Sequence, residues 1–215
     1  MPGHSQARLD QEKRGRVATE RDEFARAAWR VMVAAAVEPK RLVFVDEMGV
    51  HTSLAQIYGY APKGERLNLS VPRNRGRNTT LLSSMTFWGM GPSLAVEGAT
   101  TAKVFESYVE KVLAPSLEKG QVVVMDNLGA HKPRRVRELI EERGCELLYL
   151  PAYSPDYNPI EEAFSKIKSL LRKAAARTRE TLVEAMGKAL SAVTSGDAQG
   201  FFGHAGYRNT AVHLL

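Results

Sequence analysis

The sequence predicts an α/β fold in which a mixed β-sheet is covered by helices on both faces. Residues 78–98 are a glycine-punctuated stretch rich in β-forming side chains, which indicates a strand pair. From residue 100 onwards, helical and strand patterns alternate along the chain. Two short apolar runs, 41–46 and 121–126, have the character of strands buried on both faces. An antiparallel meander followed by alternating helices and strands is typical of this fold class.

Local patterns set the limits of each predicted element. Apolar residues at helical spacing, among them Phe24, Val31 and Met32, indicate a helical segment near the N-terminus. Trp88 lies in an apolar β segment, which predicts a core position. In chain order the predicted elements are helices within 10–37, a strand at 41–46, a hairpin within 51–71 turning at Pro62 and Gly64, a strand pair within 78–98, a helix at 100–117, a strand at 121–126, a helix at 133–144, a strand at 145–151, and helices at 158–176 and 179–193.

Composition excludes several classes of protein. With 44% hydrophobic and 25% charged residues, the chain resembles an ordinary globular domain. Its longest uncharged apolar run, 31–37, is too short to span a bilayer, and the N-terminus lacks the apolar region of a secretory signal. Cys145 is the only cysteine, which excludes an internal disulfide and predicts a small buried side chain. We therefore expect a cytoplasmic protein with no membrane partner.

The two buried strands share an unusual feature, because each ends on an aspartate. Asp46 closes the first and Asp126 the second. Taken singly, each is explained by a polar residue that opens a turn. Taken together, they lie where open α/β sheets gather functional groups, and parallel neighbouring strands would place the two carboxylates side by side.

A third acidic candidate follows a proline-rich loop. Asn158 and Pro159 suit the N-cap and first position of a helix, which puts Glu161 at its third position. A capping box, in which Glu161 bonds back to the Asn158 amide, is the competing interpretation. Glu162 competes for a functional role, but at about 100° per residue it lies roughly 145° from the centre of the apolar stripe, against roughly 115° for Glu161. Glu161 is therefore the one expected to face the strand ends.

Carboxyl groups that lie close together can all ionise at a low cost in free energy only when a cation lies among them. Asp46, Asp126 and Glu161 would supply oxygen ligands without histidine or cysteine, which selects a hard ion such as Mg²⁺, with Mn²⁺ as a substitute.

Three ordered motifs carry a resemblance to a known family. The stretches FVDE at 44–47, VVMDN with AHK at 123–132, and LPAYSPDYNPIEEAFSKIK at 150–168 resemble the catalytic motifs of DDE transposases of the mariner-like superfamily and its bacterial insertion-sequence relatives. In that family the third acid is the Glu of NPIE, which here is Glu161. The 34 residues at 127–160 separate it from Asp126, a spacing typical of the family.

The resemblance implies an RNase H-like domain with a mixed five-stranded sheet at 39–215, preceded by a tail and helical segment at 1–38. It implies a phosphoryl transfer assisted by two Mg²⁺ ions, which cuts DNA at transposon ends and joins the 3′-ends to target DNA, typically at a TA dinucleotide. Asp46 and Asp126 would share the ions and Glu161 would complete the site. Glu47, Asn127 and His131 are candidates for orienting groups nearby, with ordinary loop hydrogen bonding as the alternative for the last two.

A formal net charge of +6 and a pI near 9.5 favour an anionic partner, and the resemblance makes that partner DNA. Solvated basic faces are the alternative interpretation. The DNA-binding candidates are Arg73, Arg75 and Arg77 in one loop, Lys132 and Arg134 in a second cluster, and Lys166, Lys168, Arg172 and Lys173 in a third.

Complete transposases of this type carry N-terminal helix-turn-helix domains, whereas about 40 residues precede the first strand here. The expectation is a catalytic half that works with an upstream helix-turn-helix polypeptide, in a nucleoid-associated homodimer on DNA. Two alternatives stay open: a stand-alone RNase H-like nuclease, and a non-catalytic DNA-binding remnant.

Overall fold

The computed structural model describes residues 21–56, 58–66, 68–71, 73, 78–127 and 134–208, which contain a single five-stranded sheet flanked by helices. The strands are β1 (Leu42–Val50), β2 (Thr79–Thr86), β3 (Gly89–Glu97), β4 (Val122–Met125) and β5 (Glu146–Tyr149). The helices are α1 (Glu23–Trp29), α2 (Ala102–Tyr108), α3 (Arg134–Glu141), α4 (Pro159–Ala174), α5 (Arg179–Ser191) and α6 (Ser195–His204). A π-helical turn continues α1 over Arg30–Ala34, and another continues α2 over Val109–Leu113.

The sheet has the order β3-β2-β1-β4-β5, which places β1 at its centre. β1 pairs antiparallel with β2 and parallel with β4, and β5 continues the parallel half. The central strands are apolar on both sides because both faces of the sheet are covered. The predicted mixed sheet with helices on both faces is confirmed.

Two hydrophobic cores lie on opposite faces of the sheet. Phe44 of β1 packs with Phe164 of α4 and Phe202 of α6 on one face, which we call the α4 face. Val45 packs with Phe105 of α2 on the other. Alternation along β1 sends Leu42, Phe44 and Met48 to the α4 face and Val43 and Val45 to the opposite one. Any polar residue at an even position of β1 therefore faces α4.

The N-terminal helix buries a different face from the one its apolar spacing suggested. Phe24, Val31 and Met32 are exposed, whereas Arg26, Trp29 and Val33 are buried. Trp29 and Val33 join the core of the α4 face, so this segment packs directly on the sheet domain. The division of the chain at residue 38 stays a prediction.

Two other expectations were wrong, and one helix was not predicted. Trp88 is 60% exposed, because it lies in the tight turn between β2 and β3 rather than within a strand. The described residues of 51–71 form no strand, although the turn at Pro62 exists, with Glu65 N–H donating to the Pro62 carbonyl over 3.0 Å. Helix α6, which the sequence interpretation missed, completes the core with Phe202. Cys145 is buried, as expected.

Within the described residues, no helix combines the length and apolar character needed to cross a membrane.

Candidate active site

Asp46 and Asp126 lie next to each other at the centre of the sheet. The parallel register of β1 and β4 pairs Val45 with Met125, and each aspartate is the following residue. Val45 and Met125 both belong to the core opposite α4. Since side chains alternate along a strand, both aspartates point to the α4 face. The two strands are parallel neighbours, as predicted, and Asp46 is 6% exposed and Asp126 half-buried. The expectation that Asp46 ends its strand is wrong, because β1 continues to Val50 through its pairing with β2, whereas the pairing with β4 stops at Val45.

Glu161 reaches the same place from the first turn of α4. A 3₁₀ turn at Pro155–Tyr157 leads into Asn158, and Pro159 starts the helix. The Asn158 side chain does not cap α4. Instead its Nδ2 donates a 2.7 Å hydrogen bond to Asp46 Oδ2, while the Glu161 N–H is satisfied by the Asn158 carbonyl at 3.1 Å. The capping-box interpretation of this segment is therefore wrong.

The three acids line one cavity of about 430 Å³. Its other walls come from the end of β4 and from the proline-rich loop that precedes α4. Besides Asp46, Asp126 and Glu161, the lining residues are Asn127, Leu150, Pro151, Ala152, Tyr153, Ser154, Pro155 and Asn158. Three segments far apart in sequence thus bring carboxylates to a common solvent-accessible space.

Glu161 rather than Glu162 faces this cavity. Glu162 turns towards α6, where its Oε1 lies 2.6 Å from His204 Nδ1. Both glutamates line a second cavity of about 630 Å³, whereas only Glu161 of the two also lines the cavity that holds Asp46 and Asp126.

Two donors fix the carboxylate of Asp46. Its Oδ1 accepts from the Glu47 N–H at 2.7 Å, and its Oδ2 accepts from Asn158. A carboxylate oxygen has two acceptor positions, so an oxygen that accepts a hydrogen bond can also coordinate a cation. Donors arranged in this way orient a ligand without displacing the ion it binds.

The acids and asparagines that line the cavity fit a hard divalent cation, because their possible metal ligands are carboxylate and amide oxygens. As placed, no three His, Cys, Asp or Glu side chains within the described part of the chain are close enough to share one metal ion. Asp46, Asp126 and Glu161 would be the residues that hold the cation.

Glu47, Asn127 and His131 were expected to orient groups near the three acids. Glu47 donates its backbone N–H to Asp46, but strand alternation directs its side chain to the face opposite α4. Asn127 is exposed and lines the cavity. His131 lies outside the described residues.

Several basic candidates have acidic neighbours. Lys166 Nζ lies 2.6 Å from Asp197 Oδ2, and Arg134 Nε lies 2.8 Å from Glu138 Oε1. In the described part of the chain, Lys168 and Arg172 have no salt bridge. Lys173 is exposed on α4, and Arg73 is exposed in its loop. Arg75, Arg77 and Lys132 lie outside the described residues.

The sequence interpretation missed two site features. It treated Asn158 only as an N-cap, whereas the Asn158 side chain hydrogen-bonds the Asp46 carboxylate of β1. It also missed the partly buried ion pair between Arg26 and Asp156, which joins α1 to the loop before α4. No local signal pairs residues so far apart in sequence.

The sequence model of the DDE superfamily endonucleases matches residues 41–183, which is most of the chain. The transposase of the transposable element Tcb1 from Caenorhabditis briggsae is 29% identical over 99 residues. That alignment covers 41% of this chain and 36% of the Tcb1 protein, so the shared region spans little more than a third of that relative.

Solved structures show the same fold. The Mos1 transposase paired-end complex with the left transposon end superposes with a TM-score of 0.73 at 17% identity, covering 94% of this chain and 64% of Mos1. The mariner Mos1 paired-end complex with Mg gives a TM-score of 0.71 at 14% identity, with the same coverage of 94% and 64%. The likeness confirms the predicted RNase H-like architecture. The chain therefore belongs to the DDE superfamily endonucleases, and its fold is that of the catalytic domain of a mariner transposase.

Proposed function

We propose that this chain is the catalytic domain of a Tc1/mariner-type transposase, which cuts DNA at transposon ends and joins the freed 3′-ends to target DNA. The observation that carries the proposal is the convergence of Asp46, Asp126 and Glu161 on one cavity, in a member of the DDE endonucleases. The Mos1 complexes with a transposon end and with Mg support DNA and a divalent ion as the ligands of this fold.

Asp46 and Asp126 would hold the cations, and Glu161 would complete the site from the first turn of α4. Two Mg²⁺ ions, with Mn²⁺ as a substitute, would supply Lewis acidity that activates a water or 3′-hydroxyl and stabilises the leaving oxygen of an in-line displacement. The protein's part is positional. β1 and β4 are fixed in the sheet, and Asn158 and the Glu47 N–H hold the Asp46 carboxylate in one orientation. No covalent intermediate on the enzyme is needed.

A basic stripe on α4 leads away from the cavity. At 100° per residue, Ser165, Lys168 and Arg172 lie within about 40° of Glu161 around the helix axis. With a rise of about 1.5 Å per residue, Lys168 is roughly 10 Å and Arg172 roughly 16 Å from Glu161 along α4. A DNA backbone with one phosphate about every 3.4 Å per strand would pass both side chains as it leaves the site. Lys166 lies on another side of the helix, where it meets Asp197.

The further residues proposed to contact DNA are Arg73, Arg134 and Lys173, together with Arg75, Arg77 and Lys132 outside the described residues. Asn127 and His131 would orient groups near the acids, whereas Glu47 contributes its backbone N–H to Asp46. The proposal includes an upstream helix-turn-helix polypeptide that recognises the transposon ends, and an active assembly that is a homodimer on DNA in the nucleoid.

The test is strand cleavage of oligonucleotides that carry a transposon end, with Mg²⁺ or Mn²⁺ and with the upstream helix-turn-helix polypeptide supplied. Asp46→Asn, Asp126→Asn and Glu161→Gln should each abolish metal-dependent nicking while the domain stays folded, because the shape is kept and one charge is removed. Glu162→Gln, a neighbour that faces α6, is the matched control and should nick normally.

Joining of a 3′-hydroxyl end to a second duplex separates the transposase from a stand-alone nuclease, which would cut without joining. A chain that binds DNA but neither nicks nor joins under any of these conditions would be a non-catalytic remnant. Normal nicking by Asp126→Asn would remove that residue from the active site.

A further inference from the structure

Arg26 of α1 forms a paired hydrogen-bonded contact with the loop that precedes α4. Its Nη1 donates to Asp156 Oδ1 at 2.9 Å and its Nη2 to Asp156 Oδ2 at 2.6 Å. The guanidinium carbon also lies 4.3 Å from the centre of the Tyr157 ring. A planar guanidinium that meets a carboxylate with two bonds and stacks on an aromatic ring fixes direction as well as distance.

Burial makes this contact more than a surface ion pair. Arg26 is 3% exposed, which is rare for an arginine unless it serves a partner. Asp156 remains half-exposed, and the Arg26 guanidinium holds the pKa of its carboxyl below the ordinary value. Removing either member would leave the other without its partner at the boundary of the core.

A second link joins α1 to the same turn through a residue that follows α6. Trp29 Nε1 donates to the Tyr207 hydroxyl at 2.9 Å, and that hydroxyl donates to the Tyr157 carbonyl at 2.8 Å. Both bonds are buried. The turn at Pro155–Tyr157 is thus held by α1 on one side and by a residue that follows α6 on the other.

The clamped turn runs directly into the functional side chains. Asn158 is the next residue and bonds Asp46 Oδ2, and Glu161 follows three residues later in the first turn of α4. The series of contacts that connects the Arg26 guanidinium to the Asp46 carboxylate passes through residues 156–158 alone. A loosened turn would free the Asn158 amide and the start of α4 together.

We propose that Arg26 is a positioning residue of the active site, which acts through Asp156 and the 155–157 turn to set the places of Asn158 and Glu161. The inference rests on the proposed function for its metal readout. Helix α1, which precedes the catalytic sheet in sequence, would then help to set the geometry of the active site.

Two measurements on the same variants test this. The variants are Arg26→Met, Asp156→Asn and the double variant, and Arg41→Met is the matched control. Arg41 also joins two segments, through a 2.8 Å bond from its Nε to the Gly120 carbonyl, but at the amino end of β1. The first measurement is hydrogen exchange of the peptide that spans residues 155–163, without metal. The second is Mn²⁺ affinity by electron paramagnetic resonance at a temperature where every variant is folded.

Arg26→Met and Asp156→Asn should each speed exchange at residues 155–163 and weaken Mn²⁺ binding about ten- to hundredfold, the usual effect of removing a group that orients metal ligands. The double variant should be no worse than either single one, since both act through one contact. Arg41→Met should change neither readout.

Unchanged exchange at 155–163 in Arg26→Met would overturn the inference, whatever happens to metal binding. So would faster exchange with Mn²⁺ affinity within twofold of the unaltered chain, because Arg26 would then be structural only. If the unaltered chain binds no Mn²⁺, the proposed metal site fails, and the exchange data still decide whether Arg26 positions the turn.

Discussion

Asn158 Nδ2 donates a 2.7 Å hydrogen bond to Asp46 Oδ2, joining the start of α4 to the central strand across 112 residues of sequence. Asp46 is 6% exposed and Asn158 5% exposed, so the bond is shielded from water. It ties the wall of the cavity that carries Glu161 to the wall that carries the two aspartates.

Replacing Asn158 with Ala should therefore destabilise the metal-free protein. A hydrogen bond to a charged group contributes about 1.5–3 kcal/mol, and its removal leaves a buried carboxylate oxygen with one donor fewer. Chemical denaturation with and without Mn²⁺ measures the effect, which should shrink when a cation balances the Asp46 charge. Asn127→Ala, at an exposed asparagine of the same cavity, should cost under about 0.5 kcal/mol. Equal costs for the two variants would contradict this role of Asn158.

Tyr207→Phe should lower stability through two unpaired groups. Without the hydroxyl, the Trp29 indole N–H and the Tyr157 carbonyl are both deprived of a buried partner. Leaving such groups unsatisfied costs about 1–3 kcal/mol, or roughly 2–10 °C in Tm for a chain of this size. Differential scanning calorimetry gives the value, and Tyr58→Phe, at an 89% exposed tyrosine, serves as control. A Tm within one degree of the control would show that the hydroxyl is dispensable.

Acid stability should depend on the contact between Lys166 and Asp197. The Lys166 ammonium, together with the Thr194 hydroxyl and N–H, lowers the pKa of the Asp197 carboxyl from 3.8 to about 2. A carboxyl with a depressed folded pKa contributes stability above its unfolded pKa, and that contribution disappears as pH falls towards the folded value. Asp197→Asn should thus reduce Tm by a few degrees at pH 6 and by almost nothing at pH 2. A constant difference across that window would mean that charge is not the cause.

Removing Arg73, Arg75 and Arg77 together should flatten the salt dependence of DNA binding. For every phosphate that these arginines no longer neutralise, the slope of log affinity against log salt should fall by about 0.9 on duplex DNA. Fluorescence anisotropy between about 50 and 200 mM salt measures that slope. If the triple Gln variant keeps the original slope, these arginines form a solvated face instead.

The sequence was most informative where neighbours along the chain decide the outcome. The position of Asp126 directly after β4 followed from an apolar run, and the position of Glu161 in the first turn of α4 followed from the Asn158–Pro159 start signal. Asp46 was expected to end its strand, but pairing with β2 continues β1 to Val50. The sequence was least informative where tertiary packing decides. The buried face of α1 is set by the Arg26–Asp156 pair and by Trp29, which override the apolar spacing of Phe24 and Val31. Trp88 is exposed because it lies in the two-residue turn between β2 and β3, although the segment around it is apolar.

The most direct test of the proposed active site is anomalous diffraction at the manganese edge from crystals soaked in Mn²⁺. We predict peaks in the 430 Å³ cavity, coordinated by Asp46 and Asp126 and completed by Glu161. Absence of any peak at saturating Mn²⁺, or a peak held by other side chains, would contradict the assignment of these three acids.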